Sequence, residues 1–431
     1  MIMEEHKSIS LDNISIGLIG LGYVGLPLAT EFGKKYTTFG FDIDKSRVKD
    51  LKKGIDTTNE VEEVDLNQGK LIYTSDIQDL INCNVYIVTV PTPVDKQNAP
   101  DLSPLINASK TVGAILKKGD LVIYESTVFP GATEEVCVPI LENASGLTFN
   151  TEFYCGYSPE RINPGDTEHR ITDIIKVTSG SNASIAETVD NLYKSIITAG
   201  TFKAKNIKTA EAAKVIENTQ RDVNIALVNE FSIIFNTLEI DTKDVLDAAE
   251  TKWNFLPFKP GLVGGHCIGV DPYYLTYRAL KSGYKPEMIL SGRKLNDSMP
   301  AYVANKVLRL MSEEKIDQKK ASVLILGFSF KENCPDYRNT KIVDLYLELK
   351  KSVDAVDIFD PWVNTKKVME EHQIRIVSNL GQNKYDAVIL AVAHDIFQEY
   401  KVEGFKGLTK EKSIIYDIKH FLDTASITAR L

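Results

Sequence analysis

Residues 14–25 read Ile14-Ser15-Ile16-Gly17-Leu18-Ile19-Gly20-Leu21-Gly22-Tyr23-Val24-Gly25: an apolar run, three glycines spaced Gly-x-Gly-x-x-Gly, and then a helix-like stretch. An apolar strand entering a glycine turn that opens a helix begins a βαβ unit, and in that setting the spacing is a dinucleotide fingerprint. Gly20 permits the tight turn, and Gly22, beside Tyr23 and Val24, lets backbone amides reach a pyrophosphate. Gly25 lets helix and strand pack closely, and the helix amino terminus adds amide donors and partial positive charge. Asp42 ends the next apolar run, 22 positions after Gly20. A carboxylate there accepts bonds from the adenosine ribose hydroxyls and repels a 2'-phosphate, so the predicted cofactor is NAD rather than NADP.

The same texture extends outward. Apolar runs fall at residues 14–19, 38–42, 85–90 and 121–124, continuous rather than alternating, as in strands of a parallel sheet covered on both faces. From 208 to about 240 there is neither proline nor glycine, and Val215, Ile216, Val223, Ala226, Leu227, Phe231, Ile234, Phe235 and Leu238 recur at three- and four-residue steps. A helix of that extent spans roughly 45 to 50 Å at 1.5 Å per residue, which predicts a bridge between domains or a face for a second subunit. At Val323-Leu324-Ile325-Leu326-Gly327 the scheme restarts, followed by apolar runs at 356–360, 387–392 and 413–417. Its turn, Gly327-Phe328-Ser329-Phe330-Lys331, keeps the fold pattern and loses the fingerprint, so no second dinucleotide is expected. The predicted fold is α/β: two doubly wound Rossmann-like domains joined by a long central helix and a helical middle domain. The predicted boundaries are a flexible extension at 1–13, an NAD-binding domain at 14–205, a helical middle and dimerisation domain at 206–315, and a second Rossmann-like domain at 316–431.

Composition narrows the function classes. The 431 residues are 43% hydrophobic and 25% charged, as in ordinary globular proteins. Fifty basic against 59 acidic residues leave a net charge of -9, which argues against nucleic acid or an anionic membrane as partner. Residues 1–13, with Glu4, Glu5, His6, Lys7 and Asp12, lack the apolar core of a signal peptide. No later stretch approaches the ~18 apolar residues of a membrane span. Five cysteines (Cys83, Cys137, Cys155, Cys267, Cys334) are far apart and show no zinc spacing, and His169, His372, His394 and His420 show none either. No metal site is predicted, and the reading is a protein of the reducing cytoplasm.

The glycine-rich stretch 258–274 contains His266-Cys267. In a loop built to approach a ligand, an unpaired thiol is a candidate nucleophile, activated by cations, amides or His266; an inert cysteine fits the local sequence equally. Cys83, Cys137 and Cys155 lie in or beside apolar runs and read as packing residues, and Cys334 is left undecided. His266 reads first as a structural histidine, because adjacent side chains point apart. Lys214 and Asn218 share a helix face, with Asp222 a turn later; a solvated face looks the same. Phe330 and Lys331 are placed to stack a base and meet a phosphate, or equally to fill the core and face water.

The motifs Gly20 to Gly25, Val90-Pro91-Thr92-Pro93, Glu125-Ser126-Thr127, Ser158-Pro159-Glu160-Arg161, Lys214-x-x-x-Asn218, Gly264-Gly265-His266-Cys267-x-x-x-Asp271 and Phe330-Lys331-x-x-x-x-Asp336-x-Arg338 stand in order along the chain. In this set the sequence resembles the UDP-glucose/GDP-mannose dehydrogenases from Ile14 to about Asp423. Around Trp253-Asn254-Phe255-Leu256-Pro257-Phe258-Lys259-Pro260 it is similar to the Vi-antigen type branch acting on UDP-N-acetylhexosamines (GlcNAc or GalNAc). The resemblance implies four-electron oxidation of a C6 alcohol through the aldehyde to the acid, with two NAD per UDP-sugar. It casts Cys267 as the nucleophile on the aldehyde, Lys214 and Asn218 as stabilisers of the C6 oxyanion, and Asp271 and Glu160, with a water held by Thr127, as the acid/base groups. It further implies Arg47, Thr92, Thr127 and Arg338 at the cofactor, and Arg161, Leu256, Phe258, Lys259, Gly264, Phe330 and Lys331, beside Glu160, Lys214 and Asn218, at the substrate. The domain at 316–431 would bind the UDP-sugar, the assembly would be a homodimer through the central helix, and the product would feed surface polysaccharide (capsule) synthesis.

The chain departs from the UDP-glucose members near the sugar. Val270 stands where they carry lysine, Pro164 where many carry a second glutamate, and Thr251-Lys252 near the place of a cross-subunit arginine. That pattern suits a sugar bearing an acetamido group and argues against UDP-glucose; the alternative reading is a UDP-N-acetylmannosamine or UDP-glucose 6-dehydrogenase. A two-electron hydroxyacid dehydrogenase shares the first domain but has no use for the third domain or the cysteine loop. A non-catalytic NAD-binding scaffold has no use for Cys267, Lys214 and Asp271.

Overall fold

The computed structural model describes residues 11–67, 69–95, 97–162 and 170–431. Pro164 and His169 lie outside the described residues, as do residues 1–10 of the predicted extension. The chain divides into two compact units, one of residues Met1–Glu217 with Tyr273–Tyr284, the other of Asn218–Pro272 with Lys285–Leu431.

The first unit is built on β1 (Ser15–Ile19), β2 (Thr37–Phe41), β3 (Leu71–Thr74), β4 (Val85–Val88), β5 (Leu121–Tyr124), β6 (Tyr154–Tyr157), β7 (Lys176–Gly180) and β8 (Thr201–Lys203), in the sheet order β3-β2-β1-β4-β5-β6-β7-β8. Neighbours run parallel except at β6–β7. The apolar runs form the centre: β4 and β5 are buried at every position, and each wholly buried aliphatic side chain contributes about 1.5–3 kcal/mol. Strand order reverses between β1 and β4, and Ile19 at the end of β1 pairs with Phe41 of β2 on one side and Val88 of β4 on the other. A crevice beyond the carboxyl ends of the strands forms at such a switch point, and the glycine turn follows β1 there. β3, β6, β7 and β8 are not among the apolar runs of the sequence. β3 and β8 are short strands with exposed positions, and β7 buries Lys176, Thr178 and Ser179.

The second unit holds β9 (Ser322–Leu326), β10 (Ala355–Phe359), β11 (Tyr385–Leu390), β12 (Thr409–Asp417) and β13 (Ala429–Arg430), in the all-parallel order β10-β9-β11-β12-β13. Apolar clusters cover both faces of this sheet, one reaching from Met299 to Leu431 and the other built on Leu324, Tyr385, Phe397 and Phe405. The predicted doubly wound α/β fold is thus present twice.

The division between units falls within the 31-residue helix Ile207–Thr237. It ends before the predicted position of about 240 because Glu239 adopts φ 58°. Leu238 and Ile240 continue the apolar period yet are 59% and 45% exposed. In the second unit this helix packs on Glu287–Glu313, where Gly292 comes close to Ala226. Among the described residues no helix is long and apolar enough to cross a membrane, and no group of three or more His, Cys, Asp or Glu is set to hold a metal ion.

Candidate active site

The fingerprint glycines divide their labour in the first unit. Gly20 has φ +99°, and its N–H donates to the Phe41 carbonyl at 2.8 Å, closing the turn against β2. A Cβ on Gly25 would stand 1.9 Å from the Gly20 carbonyl oxygen and 2.4 Å from Thr89 Oγ1, so only glycine fits there. A Cβ on Gly22 would meet nothing within 4 Å, which leaves the backbone open for a ligand. Asp42 Oδ2 accepts from the Leu21 N–H and Oδ1 from the Asp44 N–H, both at 2.9 Å. The carboxylate is half-buried and keeps lone pairs for ribose hydroxyls. Arg47 is held under the turn, its Nε donating to the Leu21 carbonyl at 2.9 Å and its Nη2 2.8 Å from Asp56. Tyr23, Val24 and Thr92 are half-buried in the same two turns. This donor and acceptor set fits NAD.

Two buried carboxyl groups flank the turn that carries Thr127. Glu125, at the end of β5, pairs with Lys176 Nζ at 2.6 Å and accepts a bond from Tyr193 OH, all three being buried. A lysine inside an apolar strand was the available signal for this pair. Glu211 accepts from Gly131 and Thr133 N–H, and burial, against those two bonds, raises its pKa to about 7. Thr127 itself is half-buried.

Lys214 and Asn218 are each 5% exposed and Asp222 is not exposed at all, which removes the solvated-face reading of this helix. Lys214 Nζ is 3.9 Å from Glu160 Oε2. Asn218 Nδ2 donates to Asp271 Oδ2 at 2.6 Å. Arg161 turns to Glu217, with Nη2 at 2.8 Å, and to the Ile175 carbonyl, with Nη1 at 2.6 Å.

Among the five cysteines Cys267 stands apart. Cys83, Cys137, Cys155 and Cys334 are buried and Cys267 is half-buried. Burial raises the thiol pKa of Cys137 to about 12 and that of Cys155 well above its ordinary value, so these remain protonated packing residues. Cys334, undecided from sequence, is 2% exposed. The Cys267 carbonyl accepts from the Val270 and Asp271 N–H at 3.0 and 2.8 Å, where its loop enters helix Asp271–Lys281.

Phe330 is half-buried against this loop. Gly265 has φ +83°, and a Cβ there would be 2.8 Å from the Phe330 ring. Gly264 and Phe330 line one cavity with Leu262, Ser329, Thr340 and Lys341. Lys331 and Phe258 are half-buried, and Leu256 and Lys259 are exposed. The His266 and Phe330 rings stand perpendicular with centroids 5.9 Å apart, and His266 Nδ1 is 3.5 Å from Asp336 Oδ2. Arg338 Nη2 also lies 3.3 Å from His266 Nδ1, and the same guanidinium is folded onto Asp336. Burial works against the Asp336 charge, but the Arg338 bonds outweigh it and lower its pKa.

The second glycine turn keeps the frame without the opening. Gly327 has φ +95°, with a would-be Cβ 2.4 Å from Val392. Asp360, the counterpart of Asp42, is 4% exposed and accepts from Phe328, Ser329, Trp362 and Val363 N–H and from His394. Its acceptor sites all face inward, so none is left for a ribose.

Models of the UDP-glucose/GDP-mannose dehydrogenase family match along the chain: the NAD binding domain over residues 14–197, the central domain over 208–298 and the UDP binding domain over 324–424. A UDP-N-acetyl-D-glucosamine 6-dehydrogenase of Pseudomonas aeruginosa is 57% identical over 422 residues, covering 98% of this chain and 100% of that protein. One of Salmonella typhi is 56% identical, covering 98% and 99%. Among solved structures, a UDP-D-ManNAc dehydrogenase from Pyrococcus horikoshii is similar at TM-score 0.87 and 30% identity, covering 97% of this chain and 98% of that one. With an NAD turn in one unit, a closed counterpart in the other and all three domain models matched in order, the chain belongs to the UDP-glucose/GDP-mannose dehydrogenase family and is an NAD-dependent oxidoreductase.

Proposed function

We propose that the protein oxidises the C6 hydroxymethyl of a UDP-N-acetylhexosamine, UDP-GlcNAc or UDP-GalNAc, to the uronic acid, in the cytoplasm and for a surface polysaccharide. The observation that carries this reading is the likeness, over 98% of the chain, to two proteins named UDP-N-acetyl-D-glucosamine 6-dehydrogenase. The half-buried Cys267 in its loop supports it from the side of mechanism.

Residues 14–205 then bind NAD, 206–315 form the middle domain and 316–431 take the UDP-sugar. Bound NAD supplies the hydride acceptor for each of two oxidations. In the first, the C6 alcohol loses a proton and a hydride to become an aldehyde, and Lys214 and Asn218 stabilise the oxyanion. In the second, the Cys267 thiolate adds to the aldehyde carbon, the adduct loses a hydride, and a thioester forms. Water positioned by Thr127, with Glu160 and Asp271 moving protons, then cleaves the C–S bond to give the carboxylate and restore the thiol. A covalent adduct also keeps the aldehyde from escaping between the two oxidations. Tyr23, Val24, Arg47, Asp42, Thr92 and Arg338 serve the cofactor. Arg161, Leu256, Phe258, Lys259, Gly264, Phe330 and Lys331 serve the UDP-sugar.

A homodimer through the central helix is part of the proposal. Leu227 and Ile234 on this helix, with Leu238 just past its end, are 45%, 45% and 59% exposed, an apolar stripe suited to a second copy.

Following NADH absorbance with UDP-GlcNAc, UDP-GalNAc, UDP-ManNAc and UDP-glucose tests the substrate. Fastest turnover with the first two is expected; turnover confined to UDP-ManNAc or UDP-glucose would overturn the reading.

A further inference from the structure

Helix Ile207–Thr237 carries two buried asparagines, Asn218 and Asn229. Their separation of 11 residues returns to nearly the same helix face about 16 Å further along, at ~100° and 1.5 Å per residue. Asn218 holds Asp271, as above. Asn229 makes a reciprocal pair with the backbone of Gly261, whose N–H donates to Oδ1 at 2.8 Å and whose carbonyl accepts from Nδ2 at 3.0 Å. The segment 261–271, with Cys267 inside it, is therefore fastened near both ends to one helix face.

The orientation of Asn229 is itself fixed. Its Nδ2 also donates to Asn296 Oδ1 at 2.9 Å, so both amide protons are used. Asn296 Nδ2 donates to Asp222 Oδ1 at 2.8 Å and to the Asp222 carbonyl at 3.0 Å, and Arg293 Nη1 donates to the same Oδ1 at 2.6 Å. Asp222, Asn229 and Asn296 are wholly buried and Arg293 is 2% exposed. An amide flip would set N–H against N–H and oxygen against oxygen at Gly261 and Asn296, so only one orientation satisfies the frame. Buried polar groups of this kind are weak evidence for stability, since apolar residues of similar volume often serve as well.

We propose that Asn229 is a positioning residue for Cys267, acting through Gly261 to set where the thiol meets the aldehyde. This rests on Cys267 being the nucleophile. Because the first oxidation does not use the thiol, the two oxidations respond differently to the loss of Asn229.

The test uses the full-length enzyme with limiting UDP-GlcNAc, excess NAD and hydroxylamine, which captures released aldehyde. NADH per sugar is counted for wild type, Cys267→Ser, Asn229→Ala and Asn229→Asp. This ratio does not depend on how much of a variant folds. The second oxidation of Asn229→Ala should slow on the order of ten- to a hundredfold, as displacements of about 1 Å do. Its ratio should then fall from two toward one, with oxime accumulating. Asn229→Asp keeps the acceptor for the Gly261 N–H and should lie in between. The rate of Cys267 alkylation by iodoacetamide, read by peptide mass, should change in the same order. A ratio of two with unaltered alkylation in Asn229→Ala, while Cys267→Ser gives one, overturns this inference alone. A ratio of two in Cys267→Ser overturns the nucleophile reading beneath it.

Discussion

Replacing Gly22 and Gly25 separately by alanine separates cofactor binding from folding within one turn. The Gly25 methyl would lie 1.9 Å from the Gly20 carbonyl oxygen, more than 1 Å inside ordinary contact, and the obstacle is backbone. Overpacking of this kind costs about 1–3 kcal/mol. For a unit of this size that lowers the thermal midpoint by roughly 3–10 °C. The Gly22 methyl meets nothing within 4 Å, and Gly22 is not at positive φ, so Gly22→Ala should melt within a degree or so of wild type. It would, however, occupy the space a pyrophosphate needs to approach the amides. Losing one or two such contacts at about 1.4 kcal/mol per factor of ten weakens NAD binding about ten- to a hundredfold. Thermal melts followed by NAD titration read both quantities. A Gly22→Ala variant with wild-type NAD affinity, or a Gly25→Ala variant with wild-type stability, would refute the division of roles.

Other perturbations follow from the buried charges. Burial raises the folded-state pKa of Glu211 to about 7 from 4.5, so below pH 4.5 the group is neutral in both states, and stability falls as pH rises from about 4.5 to 7. Its share is on the order of 3 kcal/mol at 1.36 kcal/mol per unit, and Glu211→Gln should flatten that slope in urea unfolding at pH 5 and pH 8. Asp42→Ala should weaken NAD binding about tenfold or more with little loss of stability. Asp360→Ala should instead leave NAD affinity alone and cost about 3–5 kcal/mol, because it strips a buried histidine and four backbone N–H groups of their acceptor; calorimetry beside NAD titration compares the two. Lys176→Met leaves Glu125 buried without its cation and should cost a similar ~3–5 kcal/mol, measured by denaturant midpoint.

What the sequence made legible, and what it hid, has a physical basis. β1, β4, β5 and β9 were readable because a strand covered on both faces needs an unbroken apolar run. β7 was not, because it satisfies Lys176 with Glu125, a partner 51 residues away in sequence. The helix end was misread because Leu238 and Ile240 keep the period while standing in solvent; periodicity reports a face, not what covers it. Cys267 was legible from the glycine loop around it, but separating it from four inert cysteines took burial. Asn229 was invisible: its partner is the backbone of a residue 32 positions away, and no side-chain pattern marks a backbone contact. Arg338 was expected at the cofactor, and its present bonds to Asp336 follow from two neighbours on one short turn, which spacing alone does not resolve.

The central claim is a four-electron oxidation on one chain through Cys267, and counting NADH against UDP-GlcNAc consumed to completion tests it most directly. Two equivalents per sugar, with the uronic acid as product and Cys267→Ser yielding no acid, is the predicted result. One equivalent per sugar, with the aldehyde as the end product of the wild-type enzyme, would contradict it.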